Sequence, residues 1–201
     1  MIKIKFSLLV YFLFYLDAHA KWHKSLQNIY ILNKNIEIKE FVRSRGGWDS
    51  NFEKLFFESD SIEDLLGKIK NQKLKIEIGA NWFFFLKEIE EYKTRINRSL
   101  FELSRRLDDN KETFREIRQH FKIRDINCNV YLLWNTNCGW GRASKFGILL
   151  SVGSMPVKDT FKILIHEYVH FILKKKRLHL KMKAQTEEKK VNKIVQRLQI
   201  R

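Results

Sequence analysis

Phe161-Lys162-Ile163-Leu164-Ile165-His166-Glu167-Tyr168-Val169-His170-Phe171-Ile172-Leu173 contains no Gly or Pro and repeats apolar residues at spacings of three and four. That pattern predicts a helix with a buried face. His166 and His170 stand one helical turn apart, so both imidazoles leave the same side of it. Two imidazoles placed in this way can hold one Zn²⁺. Glu167 lies beside the first of them and need not be a ligand; it is positioned as a general base toward a water next to the metal. An amphipathic helix with two buried, satisfied histidines explains the same periodicity but gives no reason for a glutamate at 167. Upstream, Ser154 ahead of Met155 and Pro156 is a candidate N-cap, with Asp159 or Thr160 as later alternatives.

A catalytic zinc site takes three protein ligands and keeps one position open. Two sources of a third ligand follow the helix. Glu187 and Glu188 open a second helix-like segment, Thr186 to Leu198, and His179 lies in the loop before it. A third histidine in the HExxHxxGxxH manner is disfavoured, because Leu173 stands where that pattern has its glycine. Between the glutamates, periodicity and chemistry pull apart. Glu187 shares a helical face with Val191, Ile194, Val195 and Leu198, the better apolar stripe, whereas Glu188 shares one with Val191, Asn192 and Val195. Either carboxylate also suits a helix N-terminus for its interaction with the macrodipole alone.

His166-Glu167-Tyr168-Val169-His170 followed by Glu188 resembles the gluzincins, zinc peptidases in which HExxH lies on one helix and a glutamate on a following helix completes the metal site. More closely, Glu188-Lys189-Lys190-Val191-Asn192-Lys193-Ile194-Val195 is similar to the E-x-x-A-N-x-F-A segment of the peptidase-like ImmA/IrrE group. The resemblance is confined to the C-terminal region. It implies His166, His170 and Glu188 as the ligands of one catalytic Zn²⁺, and Glu167 as general base. It also implies Asn192, one turn beyond Glu188, as an acceptor that steadies an imidazole N–H from behind. Phe146 to Val152 stands where such peptidases carry the sheet-edge strand that pairs with an extended substrate. An ordinary core strand is the alternative.

The N-terminus reads as a secretory signal. Met1-Ile2-Lys3-Ile4-Lys5 is basic, Phe6 to Leu16 is apolar, and Ala18-His19-Ala20 is an A-x-A cleavage site, so the mature chain is expected to begin at Lys21. The apolar stretch is too short for a bilayer, which needs about twenty residues, so no transmembrane anchor is expected. A buried amphipathic helix is the competing use of the same residues. The two cysteines, Cys128 and Cys138, are expected to pair in a disulfide, as an even pair in an exported chain would. The formal net charge of +16 predicts attraction to anionic surfaces. Lys174-Lys175-Lys176-Arg177, Lys181 and Lys183 crowd the loop at 174–183, where they could favour an anionic surface or polymer; no clear nucleic-acid motif accompanies them.

From Lys21 to Ile123 the texture is helical, with breaks at Gly46-Gly47 and Asp108-Asp109-Asn110, while Ile29 to Ile38 and Leu74 to Ile78 alternate enough to be ambiguous. After Ile123 it changes to strands, at Val130 to Trp134 and Phe146 to Val152, around the turn-like Gly139-Trp140-Gly141. Trp82-Phe83-Phe84-Phe85 reads as helix core. The expected architecture is therefore α+β: a signal peptide over 1–20, a mainly helical region over 21–123, and a zincin-like region over 124–201 with a small sheet and two metal-binding helices. The expected activity is that of a secreted or periplasmic zinc-dependent metallopeptidase, a hydrolase acting on a peptide or protein substrate. Two alternatives are a non-enzymatic envelope or wall-polymer binding protein on a zincin scaffold, and an HExxH amide hydrolase acting on cell-wall peptides.

Overall fold

Every strand among the described residues lies in one mixed sheet, and its order differs from what sequence proximity suggests. The computed structural model describes residues 1–22, 50–134, 141–144, 146–153, 155–178 and 184–197. The strands are β1 (Ile2–Lys5), β2 (Cys128–Trp134), β3 (Gly141–Ala143) and β4 (Ile148–Val152), in the spatial order β1-β2-β4-β3. β1 runs parallel to β2 with Ile2 opposite Cys128, and β2 runs parallel to β4 with Val130 opposite Ile148. β3 turns back antiparallel along the far side of β4, with Arg142 opposite Leu149. The α+β expectation holds.

β4 is therefore a central strand. All five of its residues are buried, as a strand covered on both faces requires, so the edge-strand role expected of Phe146 to Val152 does not fall there. The edge strand next to β4 is β3, and the opposite edge is β1. The turn into β4 needs a glycine at 147, where a Cβ would strike the Asn129 carbonyl oxygen and come within 3.1 Å of the Tyr131 ring.

The helices are α1 (Leu8–Trp22), α2 (Ser50–Phe57), α3 (Ile62–Lys68), α4 (Gln72–Glu90), α5 (Lys93–Asp109), α6 (Lys111–His120), α7 (Val157–Lys175) and α8 (Ala184–Arg197). Leu74 to Ile78, ambiguous by alternation, is helical within α4, where the Asn71 side chain caps the first turn by accepting from Leu74 N–H at 3.0 Å. Ile29 to Ile38 and Gly46-Gly47 lie outside the described residues. Asp108-Asp109-Asn110 does end a helix: α5 stops at Asp109 and α6 begins at Lys111.

The chain divides into two compact units, Ser7–Lys93 and Met1–Phe6 with Thr94–Arg201. The boundary falls well before the change of texture at Ile123, because α6 belongs to the sheet-bearing unit. Phe114 of α6 packs edge-on against Phe161 and Tyr168 of α7, at centroid distances of 6.0 and 5.2 Å.

In the Ser7–Lys93 unit, α1 supplies core. Phe12 is fully buried against Phe56, Trp82 and Phe85, and Leu13 and Leu16 are buried beside it. The aromatic run in α4 splits accordingly: Phe85 faces this core, whereas Phe83 and Phe84 face outward. In the other unit, β1 is held at its start as well as along its ladder. The Met1 ammonium donates to the Ile126 carbonyl at 2.6 Å, and Cys128 N–H donates to the Met1 carbonyl at 3.0 Å.

The first twenty residues thus have a structural use alongside the export use read from their composition. Burying a side chain such as Phe12, Leu13 or Leu16 is worth about 1.5–3 kcal/mol, against a total stability of about 5–15 kcal/mol for a whole domain. A chain beginning at Lys21 is expected to lose the cooperative thermal transition of the full chain, measured by circular dichroism. An unchanged midpoint would show the segment to be dispensable for folding and leave export as its use. Among the described residues, no helix is long and apolar enough to cross a membrane.

Cys128 is buried in β2 as a thiol, and burial pushes its pKa up to about 12. Its expected disulfide partner, Cys138, lies outside the described residues.

Candidate metal centre

α7 starts directly after Pro156, whose carbonyl accepts from the backbone N–H groups of Asp159 and Thr160 at 2.9 and 3.1 Å. The cap is thus Pro156, one residue ahead of the helix and preset near helical φ, with no side-chain cap bond. Asp159 and Thr160 lie inside the first turn, and Ser154 is outside the described residues. Asp159 pairs with Lys162 at 2.9 Å, and this holds its carboxyl below the ordinary aspartate value. At the other end Arg177 takes a left-handed φ of 54° and donates its N–H to the Lys174 carbonyl, closing the helix.

α7 lies across β3 and β4, burying Phe161, Leu164, Ile165, Tyr168, Val169 and Ile172. His166 and His170 leave the partly exposed side, with ring centroids 4.9 Å apart. Their Nε2 atoms are 3.2 Å apart. Glu188 of α8 completes a triangle: its Oε1 is 3.1 Å from His166 Nε2 and its Oε2 3.1 Å from His170 Nε2. A tetrahedral zinc with bonds of about 2.0–2.1 Å separates its donors by about 3.3 Å, so these three groups have the right chemistry and nearly the right spacing.

Glu187 has a different place. Its Oε1 lies 2.7 Å from His170 Nδ1, the ring nitrogen facing away from the triangle, and both side chains are 13% exposed, against 51% for Glu188. The two glutamates therefore do not compete for one position. The apolar stripe turns Glu187 inward above Val191 and Ile194, both buried, and the next residue reaches the imidazole Nε2 atoms. Asn192 is exposed on α8, and His170 Nδ1 is met by Glu187. Sequence reasoning missed this pairing, although the stripe that placed Glu187 on the buried face carried the signal: a carboxylate turned inward there needs a donor. His179 lies outside the described residues.

Glu167 points to the sheet edge, where its Oε2 accepts from the Ala143 N–H at 2.7 Å. The carbonyl of the same residue accepts from Lys174 Nζ at 2.5 Å. One peptide edge of β3 is thus held by two side chains of α7 seven residues apart. Gly141 makes the approach possible, since a Cβ there would strike Glu167 Cγ and lie 2.8 Å from Ile163 Cγ2. Gly141→Ala is expected to cost about 1–3 kcal/mol by overpacking and to displace the Glu167 carboxylate. Urea denaturation checks the first effect, and an unchanged midpoint would contradict the tight approach.

The basic residues from Lys174 to Lys176 are partly engaged by the chain itself. Lys174 is bound to β3, Lys175 lies over the Phe171 ring at 5.5 Å, and Lys176 donates to the Phe121 carbonyl. Lys181 and Lys183 lie outside the described residues. Comparison with protein-family models, with curated proteins and with solved structures finds no match to this chain.

Proposed function

We propose that the protein is a zinc-dependent metallopeptidase whose metal is held by His166, His170 and Glu188 and whose general base is Glu167. The observation that carries this reading is the triangle of two imidazole nitrogens and one carboxylate at 3.1–3.2 Å, with a further carboxylate on the residue following the first ligand. Zinc, when bound there, polarises a carbonyl and makes water more acidic near neutral pH.

The chain's own part is holding and moving protons. Glu167, once released from the Ala143 N–H, accepts a proton from the attacking water and passes it to the departing amine. β3 is the outer strand next to β4, and release of its Ala143 N–H by Glu167 would free a backbone donor beside that carboxylate for an extended substrate. Tyr168 is fully buried against Phe114 and takes no part.

These residues all lie on α7, α8 and β3, and none of them falls within residues 1–20. Export with cleavage after Ala20 remains the reading of the N-terminal composition; retention is the reading its packing supports. The test of function is cleavage of a peptide library by the full chain before chelation, after chelation, and after zinc is restored. Cleavage lost and regained in step with zinc supports the proposal. Zinc uptake with no peptide cleaved would favour the non-enzymatic binding alternative.

A further inference from the structure

We infer that Glu187 is a positioning residue that orients His170 for metal binding, an assignment resting on the reading of His166, His170 and Glu188 as the metal site. A neutral imidazole has one N–H and one lone pair, and only the nitrogen bearing the lone pair can be a ligand. His170 meets Glu187 through Nδ1 and meets His166 and Glu188 through Nε2. An ionised carboxylate accepts and cannot donate, and of the two that meet this ring Glu187 is the nearer, at 2.7 against 3.1 Å, and the more buried, so it draws the ring proton to Nδ1 and leaves the Nε2 lone pair for a metal.

The setting makes the contact firm. Glu187 and His170 are the least exposed members of the cluster, and α8 holds the carboxylate in place through the buried Val191 and Ile194 on the same helical face. Adjacent residues on one helix thereby serve opposite ends of the site. Glu188 closes the donor triangle, and Glu187 grips His170 from behind. The alternative is a carboxylate that merely favours the N-terminus of α8 through the helix dipole; it would stabilise the helix without acting on the ring.

The experiment uses the full chain with ¹⁵N-labelled histidine, first metal-free and then titrated with zinc against a chelating dye. In the metal-free wild type, His170 is expected to show a slowly exchanging, downfield proton bound to Nδ1, absent from Glu187→Ala. Glu187→Ala is expected to weaken zinc binding about ten- to a hundredfold, and Glu187→Gln, which keeps an acceptor oxygen, to recover most of it. Glu187→Gln also serves should the alanine variant fold poorly. The inference is overturned if the metal-free wild type lacks that proton. It is overturned equally if Glu187→Ala melts earlier yet keeps both the proton and wild-type zinc affinity. A wild type that shows the proton but takes up no zinc would sink the metal reading and the positioning role with it, leaving only the Glu187–His170 hydrogen bond.

Discussion

Glu167→Gln is expected to keep about one zinc per chain and to lose peptide hydrolysis by about 10²–10⁴-fold, the usual contribution of a positioned general base. The substitution is nearly isosteric, so it can still lie against β3, and it removes none of the three groups of the donor triangle. What it removes is the capacity to take a proton. Hydrolysis rates and zinc content measured on the same sample separate the two properties. A variant that cleaves peptides at the wild-type rate would show that Glu167 is only a structural clamp on Ala143.

Loss of any one vertex of the triangle is expected to have the complementary result. His166→Ala, His170→Ala and Glu188→Ala should each abolish tight zinc binding and hydrolysis together, because two remaining donors do not make a site. Glu188→Ala is the most informative. Its side chain is half exposed, so its removal costs little packing, and a loss of zinc there reports coordination rather than misfolding. Retention of zinc by Glu188→Ala, with loss in His166→Ala and His170→Ala, would place the third ligand elsewhere, His179 being the next candidate.

What could be read from the sequence was mostly what is local along the chain. His166, Glu167 and His170 lie within about one turn of helix, so their common face follows from helical geometry alone. Glu188 needed a second helix to return to the first, and it was placed by resemblance. Glu187 was read as a rival for the same position. Two ligand atoms on opposite edges of one imidazole allow both glutamates a partner, and spacing along a chain does not encode that. Strand order was not legible either. β4 follows β3 in sequence and pairs with it, yet it also pairs with β2, and this long-range ladder makes it central. The segment from Phe6 to Leu16 shows the limit of composition. An apolar run suited to a secretory signal and an apolar run suited to a core helix are built of the same residues, and only Phe12 against Phe56, Trp82 and Phe85 reveals the second use.

The central claim is that two imidazoles and one carboxylate bind a metal. Its most direct test is the zinc content of the purified full chain after equilibration with zinc and removal of the excess, measured by elemental analysis beside His166→Ala. About one zinc per wild-type chain and none in the variant is the expected result. A folded wild type without zinc, or a variant that holds as much as the wild type, would contradict it.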